Sequence, residues 1–145
     1  MTAFSCMTVS AKPKESDMWT YEQTTGAIAD NAGKVVGSGY SGGNKGDNPE
    51  GVNNPAMQSE ARIGPLPQGI YTIEAPVDRP TTGPYSIPLE PDPANHMFGR
   101  SEFLIHGDVV GHVGKRRASE GCIILAPEIR HAVWNSGDHK LHVVA

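Results

Sequence analysis

Only two cysteines, Cys6 and Cys122, occur in the 145 residues, too few for the disulfide framework that holds many small secreted domains together. Apolar residues never run for the roughly 18 to 20 positions that a membrane helix requires. The N-terminal stretch MTAFSCMTVSAKPKESD has no charged start, apolar centre or small-residue cleavage site, so neither classical export nor membrane insertion is expected. Positive charge is also scarce. Twelve Lys and Arg against sixteen Asp and Glu leave a net charge of −4, which argues against an electrostatic partner such as nucleic acid or an anionic membrane. Repeats and heptads are missing, and the length favours one domain with a single modest core.

Glycine and proline are plentiful instead, 17 and 12 residues, which suggests a turn-rich and mainly β domain. Residues 1–17 have no clear period and read as an N-terminal extension, so the domain is expected to span 18–145. MWTYEQTTGAIAD reads as a hairpin turning at Thr25-Gly26, and Lys34 to Gly37 as a third strand. Gly39 to Pro55 is too polar and too rich in glycine to bury a face. It is expected to be a long surface loop, a length that usually signals binding. After the turn residues of GPLPQG, Ile70 to Ala75 alternates as a strand. Six prolines between Pro76 and Arg100 predict scarce regular structure there. SEFLIHGD is a clear strand, CIIL a short buried one, PEIRHAVW a helix opened by Pro127, and KLHVV a last strand.

The sharpest constellation for chemistry is His106, at a strand end, followed after fifteen intervening residues by Cys122. A thiol accepts an acyl group only as thiolate, and an imidazole can take its proton and return it to a leaving amine. In Ser119-Glu120-Gly121-Cys122, a glycine before the cysteine lets backbone N–H groups gather on one spot, as an oxyanion requires. Spacing alone equally permits a buried core cysteine and a merely hydrogen-bonded histidine. Asp108 could orient the imidazole or simply share a solvent face with it. Lys115-Arg116-Arg117 is either a positive rim steering an acidic peptide or a solvated cluster, and Arg62 and Arg100 are similarly open. His106, Asp108 and His112 could begin a zinc site. His131, His139 and His142, however, follow no recognised ligand spacing.

FLIHGD, Phe103 to Asp108, followed by ASEGCIIL, Ala118 to Leu125, resembles the catalytic signature of the L,D-transpeptidases, a histidine ahead of Ser/Thr-x-Gly-Cys. More closely, MWTYEQTTGAI, GYSGG, GPLPQGIYTI and TGPYSIPLEP, in that order, resemble the type VI secretion effectors of the L,D-transpeptidase class. The likeness runs from about Trp19 to Arg130. Two positions depart from the broader motif: Glu120 stands where a second histidine is usual, and Ile124 where an arginine is. The interval from histidine to serine is also short.

The resemblance implies packed sheets with one short helix and a groove beneath long Gly/Pro-rich loops. It implies a cysteine L,D-carboxypeptidase and L,D-transpeptidase needing no cofactor or metal, with Cys122 as nucleophile, His106 as base, and Gly121, Ser119 and Asp108 in the catalytic set. Tyr40, Ser41, Arg117 and Glu120 would bind substrate. The substrate would be a peptidoglycan stem tetrapeptide, with D-amino acids as alternative acyl acceptors. A cognate immunity protein and the type VI machinery would be partners, and the target-cell periplasm the place of action. A zinc peptidase and a non-catalytic peptidoglycan-binding module are the alternatives.

Overall fold

The computed structural model describes residues 18–108 and 116–145. The expected extension 1–17 with Cys6, as well as His112 and Lys115, lies outside the described residues. The strands in chain order are β1 (Trp19–Glu22), β2 (Ala27–Ala29), β3 (Val35–Ser38), β4 (Tyr40–Ser41), β5 (Gly69–Ile73), β6 (Val77–Arg79), β7 (Gly83–Pro91), β8 (Phe103–His106), β9 (Ile123–Ile124) and β10 (Lys140–Val144), with one helix, α1 (Pro127–Asn135), before the last. The expectation of a mainly β domain with one short helix is met.

The strands form one sheet in the order β3-β2-β1-β10-β5-β7-β8-β9-β4, with β6 added beside β7. Two pairs are parallel, β10 with β1 and β9 with β8. β3 and β4 stand at opposite ends of this order, yet only Gly39 separates them in the chain. The sheet must therefore curl until its ends nearly meet, which leaves little open edge. Alternation along the strands sends Tyr21, Ile28, Tyr71, Ile73, Ile87, Ile105, Ile123 and Leu141 inward, all 2% exposed or less. Each buried aliphatic side chain contributes roughly 1.5 to 3 kcal/mol. From α1, Val133 joins this core, with Ile129 and Trp134 packed against it.

Two expectations are corrected. The proline-rich stretch is not irregular: β7 runs nine residues through the middle of the sheet, between β5 and β8. Ile87 and Leu89 point inward, a period-2 pattern that outweighs the prolines. Pro88 is tolerated because its carbonyl accepts from Glu74 N–H at 3.0 Å, just past the end of β5, so its missing donor falls where pairing already ends. The second correction concerns residues 39–55. This stretch is no loose surface loop: Tyr40, Ser41, Gly42, Gly43 and Gly51 are buried, and it contains β4 and two short 3-10 turns, with a third beginning at Pro55.

Candidate active site

β8 and β9 lie side by side in parallel, Ile123 opposite Ile105 and Ile124 opposite His106. Paired residues share a face and neighbours along a strand alternate, so Ile105 and Ile123 enter the core while His106, Leu104 and Ile124 occupy the other face. Continuing the register one step sets Cys122 beside Leu104. The Leu104 N–H donates to its Sγ at 3.3 Å. The two residues singled out for chemistry thus share one face, on adjoining strands, two positions apart along them.

His106 is 5% exposed, and its Nδ1 lies 2.9 Å from the Gly107 carbonyl oxygen. A carbonyl can only accept, so Nδ1 carries the proton and Nε2 offers a lone pair. Asp108, which could orient the imidazole or share a solvent face with it, accepts from the Tyr40 hydroxyl at 2.8 Å, while that hydroxyl accepts from the Ala118 N–H at 3.1 Å. Burial and this bond to Asp108 both raise the Tyr40 pKa, burial more. Tyr40 stays a phenol bridging the two segments.

The turn 119–122 is held from within. The fully buried Ser119 donates its hydroxyl to the Cys122 carbonyl at 2.6 Å and accepts from the N–H groups of Gly42 and Gly121 at 2.8 and 2.9 Å. Ser41, also fully buried, donates to the Gly121 carbonyl at 2.7 Å and accepts from Leu66 N–H at 3.0 Å. Both serines are braces of the turn, and Ser41 does not line a groove. The Gly121 N–H, expected to help bind an oxyanion, is spent on Ser119. Gly121 is needed for another reason: at φ +131 a Cβ would lie 2.6 Å from both Arg100 Nη2 and Phe103 Cε1.

Arg100 completes the brace. Its guanidinium donates to the carbonyls of Gln58, Pro65, Gly64 and Glu120 at 2.6 to 3.2 Å and lies 5.3 Å from the centre of the Phe103 ring. The sequence left this residue open, and its only signal was position beside the strand that ends at His106. Glu120 is half-buried and contributes this carbonyl.

A cavity of about 1060 Å³ opens beside this face. Its wall includes Tyr40, His106, Asp108, Arg117, Thr82 and Arg130, whereas Ser41, Glu120 and Cys122 are not on it. The half-buried thiol lies off this wall, on the far side of His106 from Gly107. Burial pushes the thiol pKa up, Glu120 adds to the rise, and the Leu104 N–H, Arg79 and Arg100 oppose it. Burial holds His106 below its usual range, against its bond to Gly107, with Arg130 and Lys45 pressing it further down and Asp108 opposing. Thiol and imidazole therefore rest as a neutral pair.

Two further described histidines are engaged elsewhere. His131 stacks on Tyr85 and His139 on Trp134. Among the described residues no group of three or more His, Cys, Asp or Glu is arranged to hold a metal ion.

A curled, mainly β sheet thus carries this cysteine and histidine on one face. The more particular assignment comes from sequence comparison: the family model described as the Tlde1 domain matches residues 37–145, and the chain belongs to that family of type VI secretion effectors of the L,D-transpeptidase class. The match takes in every site residue described above. No curated protein and no solved structure matches the chain significantly. Membership implies a peptidoglycan target and delivery by the type VI machinery. No described helix is long and apolar enough to cross a membrane.

Proposed function

We propose that the chain is a cysteine L,D-carboxypeptidase and L,D-transpeptidase, which cuts the bond between the third, diamino acid residue and the D-alanine of a stem tetrapeptide. The observation that carries this reading is the β8/β9 register, which sets Cys122 and His106 on one sheet face with Nε2 of the imidazole unprotonated. His106 takes the thiol proton as Sγ attacks the diamino acid carbonyl, so a neutral pair reaches the reactive ion pair only when substrate is present. The Cys122 N–H is the backbone donor we assign to the oxyanion, since that of Gly121 is engaged. His106 then gives its proton to the amine of the departing D-alanine, leaving a thioester on Cys122. Water converts the thioester to tripeptide; the amine of a D-amino acid converts it to an exchanged tetrapeptide. Either acceptor restores the thiol.

The setting follows the family: a toxin acting in the target-cell periplasm, neutralised by an immunity protein in its producer. Digestion of purified tetrapeptide muropeptides, read by mass spectrometry, tests the reading. Tripeptide and free D-alanine are expected from the wild type and neither from Cys122→Ala. Cleavage in the glycan or at the lactyl amide would overturn it, as would full activity of Cys122→Ala.

A further inference from the structure

Arg130 lies on α1, outside every motif that pointed to the site. It is 5% exposed, and its Nη1 donates to the Leu125 carbonyl at 3.0 Å. Its buried Nε has no hydrogen-bond partner. Among the described residues no carboxylate forms an ion pair with it; Glu128, exposed on the same helix, reaches it only through its field. A buried guanidinium with no carboxylate partner among the described residues is costly unless a ligand supplies the opposite charge.

Its position says which ligand. The side chain lines the cavity and packs against the residue following the catalytic histidine. A Cβ on Gly107 would lie 2.6 Å from Arg130 Nη1 and 3.4 Å from Cζ and Nη2, so glycine at 107 makes the room the guanidinium occupies. Lys45, Arg116 and Arg117 also line the cavity, and Asp108, the one acidic residue among the described residues of its wall, is bonded to Tyr40. The cavity is therefore built for an anion. The N-terminus of α1 also opens there, with Ala126 and Pro127 on the wall and no side-chain cap.

If acyl transfer proceeds as proposed, His106 must protonate the amine of the leaving residue, which places that residue beside the imidazole, and the cavity that His106 lines is also lined by Gly107 and Arg130. In an α-amino acid the carboxylate sits on the same carbon as the amine. Whatever binds the carboxylate must then be a near neighbour of the imidazole. We infer that Arg130 is the carboxylate receptor of the leaving-group side, holding the terminal carboxylate of D-alanine during cleavage and that of the incoming D-amino acid during exchange. This inference rests on the acyl-transfer reading. It also explains why a free terminal residue is removed: an internal residue has an amide where Arg130 requires a carboxylate.

The test compares D-methionine with D-methioninamide as acceptors for the same thioester. The wild type should favour the free acid, and Arg130→Gln should lose about 10- to 100-fold of that preference. Arg130→Lys, which keeps the charge but not the fork, should recover part of it. Iodoacetamide labelling of Cys122 and the melting temperature report whether the variants keep the site and the fold. An unchanged preference in folded Arg130→Gln, or no preference in the wild type, overturns the inference. Binding of D-methionine to the Cys122→Ala protein, followed by NMR, separates the two readings. Binding that disappears when Arg130→Gln is added upholds the receptor even if no muropeptide is cleaved, whereas equal binding in both proteins overturns it.

Discussion

Two buried arginines flank the Cys122/His106 pair, and their difference separates scaffold from site. Arg100 donates to four backbone carbonyls and lies against the Phe103 ring. Arg130 donates to one carbonyl and leaves its Nε unpartnered. Burial lowers the pKa of both, so neither is comfortable on desolvation grounds alone. A guanidinium satisfied by main chain ties segments together, here 58–65 to the turn at Glu120. One left unsatisfied beside a cavity is held ready for something that arrives.

Substitutions can break that comparison. The largest effect on stability is expected for Arg100→Ala, which strands several buried carbonyls and should cost about 3 kcal/mol or more in urea unfolding. Arg130→Gln should change unfolding by about 1 kcal/mol at most, because losing one hydrogen bond is offset by removing a buried charge. Equal losses in the two variants would erase the distinction between brace and receptor. Next in size is Ser119→Ala. It removes three hydrogen bonds from the 119–122 turn and should lower stability by roughly 2 kcal/mol. kcat should fall more than KM rises, since the thiol loses its aim while the cavity is untouched. Normal turnover at normal stability would show that the serine is dispensable as a brace.

The smallest effect sharpens the electrostatics. His106 is held below the ordinary histidine value of 6.5, so the neutral base persists as pH falls, and the acid limb of kcat/KM should lie below that value. Arg130 contributes to the depression through its charge. Removing that charge makes protonation of His106 easier, and the limb of Arg130→Gln should shift upward relative to the wild type. A pH profile with its acid limb above 7, or a downward shift in the variant, would contradict this arrangement.

Much of this is legible in the residues and some is not, for physical reasons. FLIH and CIIL announce two short strands because apolar residues crowd into runs bounded by glycine and charge, and their pairing puts His106 on the cysteine's face, two positions along. β7 is hidden by its prolines, since local propensity cannot reveal that Pro88 falls where the β5 ladder has already stopped. The burial of Ser41 and Gly42 is equally invisible, because a polar, glycine-rich string looks solvated until the turn at Ser119 is known to cover it. Arg130 is concealed by its helix. Helical spacing sets Arg130 one turn before Val133, on the inward side of α1, but a charged residue at the rim of an apolar stripe normally reaches solvent, and nothing in the sequence places this one against Gly107.

The central claim is a thioester on Cys122 that two acceptors share, and its most direct test is partitioning. Tetrapeptide muropeptide is digested with rising D-methionine while free D-alanine, tripeptide and exchanged tetrapeptide are measured together. If the first step is common to both products, tripeptide should fall as the D-methionine product rises. D-alanine released should equal tripeptide plus exchanged product at every D-methionine concentration, because both products come from the one thioester. Tripeptide formation indifferent to D-methionine, with no exchanged product, would mean that water attacks the stem peptide directly and that no acyl-enzyme forms on Cys122.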